Sequence, residues 1–351
     1  MNVYLLALAV VFLVAAIRNH WVLRRAITPM PPIAPPALYP SVSVIRPIRG
    51  LDAGAEHNIR AALDHGYPGE VETLFVFDDA TDPTLPLVRE ALARLPVGQA
   101  TTAQVLFSGS PTQRQTGKLH AMLAGFARAR HEIIVFADSD IRPGPHALSA
   151  LVGARGRSPF IMGQLMALRR SAIAAIGGLE SLEGEFVDDM HLGELITGQG
   201  LRNQLSWQSV PIIQNGLDLP GFWRLYRRWI AFSQSGLQAG PGSVKRQSIY
   251  RGTLFGASVA FALVAAALSA WPAALVGLAA ASTIVWSIGA LHIRMGGARL
   301  RPAHRLMALA ILLLAPLVYL ANGLDHDVEW RGRSYHLDDH ARLAVPHKRA
   351  V

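Results

Sequence analysis

The chain has 351 residues, 51% of them hydrophobic and only 16% charged, with a net charge of +9 and no cysteine. An ordinary soluble domain is roughly 25% charged, so the deficit points to membrane segments. Without cysteine there is no disulfide and no thiolate zinc site; the positive balance reads as a positive-inside signal and attraction to anionic lipid, with no nucleic-acid-binding signature beside it.

Residues 1–17, MNVYLLALAVVFLVAAI, carry no charge, and Arg18, Arg24 and Arg25 follow. A signal peptide would place its positive charge before the apolar run and a small-residue cleavage site after it. The reversed order predicts an uncleaved transmembrane anchor over 1–27, its N-terminus outside and its arginines in the cytoplasm. Residues 28–40, TPMPPIAPPALYP, are too rich in proline for a regular helix and read as a linker.

Residues 41–250 read as a cytosolic domain. SVSVIRPI (41–48) is a strand, AGAEHNIRAALDHG (53–66) an amphipathic helix, EVETLFVFDD (70–79) a second strand and PTLPLVREALARL (83–95) a second helix. AQVLFSG (103–109), KLHAMLAGFARAR (118–130) and EIIVFA (132–137) continue the alternation. Strands and helices alternating at these lengths predict an α/β fold, a mostly parallel sheet covered on both faces. Such sheets bind ligands beyond the carboxyl ends of their strands. Asp78, Asp79, Asp138 and Asp140 all fall there.

Residues 251–323 read as a C-terminal membrane region. No charged side chain occurs from Gly252 to Leu291, about twice the ~20 residues that one helical crossing needs. Trp271-Pro272 sits midway, so the segment 252–292 is predicted to be a helical hairpin. A basic loop with Arg294, Arg299, Arg301 and Arg305 follows and is cytoplasmic by charge. The next apolar stretch, 306–321, spans only ~24 Å as a helix and contains Pro316. A full crossing there would put the basic tail 324–351 outside, so an interfacial or re-entrant segment is favoured over a spanning one.

In Asp138-Ser139-Asp140, residues i and i+2 of a strand face the same way. Two carboxylates so placed repel each other unless a cation or donor intervenes, and together they suit Mg²⁺ or Mn²⁺ bridging to a diphosphate. The plain alternative is a solvated turn. Lys118, at a helix start, could meet a phosphate or carboxylate, or be a surface charge. Asp188 and Asp189 open another helix in GEFVDDMHLGEL, where one could cap it or act as a general base. Arg228-Trp229, in FWRLYRRWIAF, reads either as a membrane-interface anchor or as a cation for a leaving diphosphate.

Taken in order, SVSVIRPIRGLD, FVFDDATDP, FADSDIRPGP, MGQLMALRRSAIAAIGG, FVDDMHLGEL and RRW resemble the inverting nucleotide-sugar glycosyltransferases of family 2 and, more narrowly, of family 21, the ceramide glucosyltransferases and bacterial hopanoid glycosyltransferases. The resemblance implies a Rossmann-like, GT-A type transferase domain between an N-terminal anchor and a C-terminal membrane hairpin. It implies that Asp79, with Asp78 beside it, contacts the uridine. Asp138 and Asp140 would hold the sugar diphosphate and a divalent metal, Mg²⁺ or Mn²⁺. Asp189 would be the base, preceded by the acidic Asp188, and Arg228 and Trp229 would end the (Q/R)xxRW motif. Leu225 departs from that motif, and only 25 residues separate Asp140 from Met166, a short link for this pattern.

The resulting expectation is a multi-pass enzyme of the cytoplasmic (inner) membrane that transfers a sugar, glucose first, from a UDP-sugar to a lipid hydroxyl, with ceramide-type acceptors ahead of hopanoids or other lipids. The rivals are a polysaccharide synthase, for which the membrane segments are too few, and a catalytically degenerate protein that binds nucleotide or lipid. A channel is disfavoured, because the spans carry no ionisable pathway residues.

Overall fold

The computed structural model describes residues 2–26, 39–95, 101–154, 161–206, 208–239, 242–295 and 297–344, with the backbone alone over 235–239 and 242–248. The proline-rich linker lies outside them except for Tyr39 and Pro40, and so do residues 155–160 of the short link and 345–351 of the tail. The chain forms two compact units, Met1–Met30 with Pro241–Leu317, and Pro31–Gly240 with Val318–Val351.

Helix α1 (Asn2–Ala26) opens the chain. Then come β1 (Val42–Ile48), α2 (Ala55–Leu63), β2 (Val71–Phe77), α3 (Leu85–Ala93), β3 (Thr101–Phe107), α4 (Gly117–Arg128) and β4 (Ile133–Ala137). These match the predicted alternation. The short link forms α5 (Ala147–Val152) and ends in β5 (Leu165–Arg169), which the sequence reading left unassigned; α6 (Arg170–Ala175) and α7 (Asp188–Gly198) follow. The long helices are α8 (Leu219–Ala239), α9 (Gly242–Ala267), α10 (Trp271–Arg294) and α11 (Pro302–Leu324), and two short strands, β6 (Asp327–Trp330) and β7 (Arg333–His336), close the chain.

The sheet has the order β3-β2-β1-β4-β5, with β1 to β4 mutually parallel and β5 antiparallel on the edge. Strands β2 and β4 are buried on both faces because helices cover both. One face packs Ile45, Leu74 and Phe136 against Leu119 and Met122 of α4. The other packs Phe75 and Phe77 against Ile59 of α2 and Val88 of α3. Each such side chain removed from water contributes about 1.5–3 kcal/mol.

The register of β1 positions the site. Strand β1 pairs with β2 over its whole length but with β4 only from Val42 to Ile45. At Arg46-Pro47 the β1–β4 ladder stops, where a proline lacking an N–H costs nothing. The strand order also reverses here, since β1 continues to β2 on one side while β4 lies on the other. The two strands part, and a crevice opens at their carboxyl ends.

Among the described residues, four helices are long and apolar enough to cross a membrane: Asn2–Arg25, Ile249–Ala267, Trp271–Arg294 and Pro302–Leu324. Within their unit, Phe12 and Ala16 of α1 pack with Leu254 and Phe255 of α9 and Ala280 and Ile284 of α10. His20 Nδ1 lies 2.9 Å from Ser287 Oγ. Helix α11 differs from its expected length. It starts at Pro302, where proline suits the first helical position, runs through Pro316 and has 23 residues, or about 34 Å. The supposed basic tail also differs: its first part folds as the antiparallel pair β6–β7.

Candidate active site

The crevice is built on a buried arginine. Arg46 is 1% exposed, and its Nη2 donates to the carbonyls of Ser139 at 3.1 Å and Ile141 at 2.8 Å. It therefore fills the gap where β1 and β4 part and fixes the loop that carries Asp138 and Asp140. Burial lowers its pKa to about 10, while Asp138, Asp140 and Asp52 oppose that shift. The guanidinium stays charged and leaves a fixed positive centre under two carboxylates.

Asp138 is anchored by its N–H to Gln164 O at 2.9 Å and by its carboxylate to Lys118 Nζ at 2.8 Å. Lys118 stands in the first turn of α4, which Thr116 caps through its side chain. The same ammonium donates to Gly163 O at 3.2 Å, and Gly163 N donates to Asp189 Oδ2 at 2.6 Å. A Cβ at residue 163 would sit 2.8 Å from Asp189 Oδ2 and 3.0 Å from Lys118 Nζ, so any larger residue there would displace one of these two side chains. Burial alone would lower the Lys118 pKa, but Asp138, Asp188 and Asp189 more than reverse this and hold it above the ordinary lysine range.

Asp189 lies in the first turn of α7, where a carboxylate is favoured by the helix dipole. Burial and repulsion from Asp188 push its pKa up to about 6, against the pull of Lys118 and the N–H groups of Gly163 and Met190. Asp188 is 5% exposed, and its Oδ2 has no hydrogen-bond partner among the described residues. Asp140 is held above the ordinary carboxylate range by burial first and Asp138 second.

The other predicted residues divide. Asp78 pairs with Arg49 and, at 2.9 Å, with Arg333. Asp79 is exposed and turns back onto the N–H of Thr81 at 2.7 Å, as an aspartate does when closing a turn, and so stands outside the cluster. Asp52, which the sequence reading passed over, takes a place in it: its Oδ2 accepts from Ser139 Oγ at 2.5 Å and its Oδ1 pairs with Arg331. Arg228 lies 5.6 Å over the ring of Trp330. Burial and then the positive charge of Arg331 lower its pKa to about 10, opposed by the negative charges of Asp140 and Asp138. Trp229 points away, 38% exposed and edge-on to Phe232.

Among the described residues no three carboxylate or imidazole groups form a metal cage. Mg²⁺, however, is commonly held by one or two carboxylates, with substrate phosphates and water completing its shell. Asp138 and Asp140 offer that, and the raised pKa of Asp140 is a strain that a cation between them would relieve. The pair fits such an ion. Beyond Gly163, a groove of about 640 Å³ runs along β5 and is walled by Ile161, Met162, Leu165, Ile196, Leu201 and Leu205. Ile196 belongs to α7, the helix that carries Asp189 in its first turn.

The sequence profile of glycosyl transferase family 21 matches residues 4–159 and 150–343. Ceramide glucosyltransferase 1 of Caenorhabditis elegans is 22% identical over 243 residues, 56% of this chain and 51% of that protein. The ceramide glucosyltransferase of Candida albicans is 29% identical over 114 residues, 30% of this chain and 20% of that protein. The chain thus spans about half or less of the length of these relatives. Among solved structures, the mannosyltransferase PcManGT of Pyrobaculum calidifontis, in complex with GDP-Man and Mn²⁺, is 19% identical with a TM-score of 0.53, covering 90% of this chain and 99% of that one. That likeness is one of fold, the GT-A arrangement expected from the sequence.

Proposed function

The chain belongs to glycosyl transferase family 21, and from that premise we propose that it moves a sugar, with inversion, from a UDP-sugar to the hydroxyl of a membrane lipid. The observation that carries the reading is the chain of contacts Asp138–Lys118–Gly163–Asp189. It holds a carboxylate with a pKa of about 6 beside the cluster suited to a diphosphate.

In this mechanism negative charge develops on the diphosphate as the nucleotide departs; Asp138 and Asp140 would hold Mg²⁺ or Mn²⁺, which would supply positive charge to offset it. Arg228 adds positive potential from the α8 side, and Arg46 from beneath. Asp189 takes the proton of the acceptor hydroxyl as that oxygen attacks the anomeric carbon, which requires a reach of about 2.6 to 3.2 Å in the complex. Lys118 keeps Asp189 ionised near neutral pH and fixes its distance from Asp138. The groove at β5 suits the hydrocarbon part of an acceptor, its apolar walls starting one residue from the Gly163 that holds the base. Ceramide is the first acceptor to test, on the likeness to the relatives above, and hopanoids and other hydroxylated lipids are the next.

The direct test incubates purified protein in mixed micelles with a panel of UDP-sugars and a lipid extract, and looks for a glycolipid by mass spectrometry. A lipid heavier by one hexose supports the reading, and nucleotide hydrolysis with no lipid product rejects it. Chelation with EDTA is expected to abolish transfer, and added Mg²⁺ or Mn²⁺ to restore it. Full activity in chelator would remove the metal from Asp138 and Asp140.

The fold also bears on topology. Residues 318–351 fold in the same unit as 31–240, which supports a topology in which both lie on one side of the membrane and the chain between them crosses it an even number of times. In the proposed topology α9 and α10 are the crossing pair, α11 is interfacial, and residues 31–240 and the tail are cytoplasmic with Arg18, Arg24 and Arg25. Because the chain has no cysteine, single cysteines report this cleanly. Ser269→Cys is expected to react with an impermeant maleimide from outside intact cells, and His340→Cys only after the membrane is opened. Labelling of residue 340 from outside would refute this topology.

A further inference from the structure

The tip of the β6–β7 pair reaches into the crevice. Its two turn residues, Arg331 and Gly332, have φ values of 52° and 70°. Such a turn favours Asn-Gly, and an arginine held at positive φ marks a place where the surroundings impose the conformation. Here the surroundings are the exits of β1 and β4. Arg49 Nε donates to Arg331 O at 2.7 Å, and Arg331 Nη1 donates to Arg49 O at 3.1 Å. The Arg331 guanidinium pairs with Asp52 and lies 3.4 Å from Ser139 Oγ and 3.9 Å from Asp140 Oδ2.

Two residues on, Arg333 Nη2 meets Asp78 at the exit of β2 at 2.9 Å. Its Nη1 is buried with no hydrogen-bond partner among the described residues, a donor that needs an acceptor. Tyr335 Oη accepts from Gly117 N at 3.1 Å, one residue before Lys118. A Cβ at residue 117 would collide with the Arg333 guanidinium, which gives the glycine of Thr116-Gly117-Lys118 a reason. One ten-residue segment thus touches the exits of β1, β2 and β4 and the start of α4.

Charge says what the tip is for. Asp52, Asp78, Asp138, Asp140, Asp188 and Asp189 face Arg46, Arg49, Lys118, Arg228, Arg331 and Arg333. The cluster is balanced as it stands, and two of its six cations come from the tip. A diphosphate entering with a divalent cation leaves that balance unchanged. It also offers oxygens in the geometry that a guanidinium fork binds best.

We propose that the β6–β7 tip is a wall of the nucleotide-sugar site, and that Arg331 and Arg333 bind the donor's diphosphate, exchanging carboxylate oxygens for phosphate oxygens as it enters. The proposal rests on the nucleotide-sugar reading above. It makes the C-terminal segment part of the donor site rather than a solvated basic tail.

The test titrates UDP, with MnCl₂ present, into the full-length protein in detergent and measures affinity by calorimetry. Arg333→Ala and Arg331→Ala are each expected to weaken UDP binding by about tenfold or more, the loss of a charge-assisted hydrogen bond, and to raise the KM for the donor while leaving that for the acceptor unchanged. Arg224→Ala, on α8 and 3.9 Å from Glu329 on the outer side of the same hairpin, is expected to bind UDP like the parent. Should Arg331→Ala fail to fold, Arg331→Lys decides, since it keeps the positive charge beside Asp52 but loses the fork, and the same weakening is expected. Folded variants with parent-like UDP affinity overturn the proposal, as does equal weakening in Arg224→Ala. A parent that binds no UDP refutes the nucleotide-sugar reading, and the proposal falls with it.

Discussion

Asp189→Asn is expected to lower transfer by ~10²-fold or more while leaving UDP affinity within a few-fold of the parent, the size of effect a general base contributes. The substitution keeps the side chain's shape and an oxygen that can accept from Gly163 N, now 2.6 Å away. What it removes is basicity. The pKa of Asp189 stands at about 6 because burial and Asp188 penalise the ionised form. The reaction needs that form, so kcat/KM should rise about tenfold per pH unit below 6 and level off above it. In the asparagine variant this acid limb should disappear along with the rate. A variant that turns over at near the parent rate, or that retains a limb at about 6, assigns the proton transfer to another group.

Lys118→Met is expected to be the most damaging single change to stability in the crevice. Lys118 and Asp138 are 12% and 26% exposed as side chains and 2.8 Å apart. Removing the ammonium leaves a partly buried carboxylate without its counter-ion, with Asp188 and Asp189 close by. Breaking a buried pair on one side costs about 3–5 kcal/mol, which for a unit of this size lowers Tm on the order of 10 °C. Lys118 also pulls the Asp189 pKa down. Its loss should therefore move the acid limb to higher pH, and Lys118→Arg should restore part of both effects. Parent-like melting together with an unmoved limb would mean that Lys118 is a surface charge, the plainer of its two readings from sequence.

Much of the fold could be read in the sequence, because a parallel sheet covered on both faces writes itself as apolar runs. EVETLFVFDD ends on aspartate and EIIVFA runs directly into Asp138, so the strands and the carboxylates at their exits were visible together. Lys118, Asp138 and Asp189 were visible as well, each beside a helix start or strand end. Asp52 and Asp79 show where such reading stops. Both follow a strand, but Asp79 follows at once and folds back on Thr81. Asp52 is carried round by Gly50 at a φ of 76° and comes to lie under Ser139. No periodicity distinguishes the two.

Strand β5 escaped for a different reason. It is a five-residue edge strand with only Met166 and Leu168 well buried, too short and too mixed to stand out. The β6–β7 pair has four-residue strands that are mostly exposed, and its one signal is Arg331-Gly332 between alternating residues. The role of Arg46 was hidden by its neighbour. Pro47 argues against a central strand, yet the ladder to β4 ends just before it, and the arginine closes the gap. For α11, counting the apolar run from Leu306 missed the turn that Pro302 begins and the residues after Ala321.

Direct displacement of the nucleotide by a lipid oxygen whose proton goes to Asp189 inverts the anomeric carbon. Proton NMR of the isolated glycolipid, made from a UDP-sugar that is α-linked at its anomeric carbon, tests this most directly. A β-linked sugar on the lipid hydroxyl is the predicted product. An α-linked sugar, or a sugar attached anywhere other than a lipid hydroxyl, would contradict it.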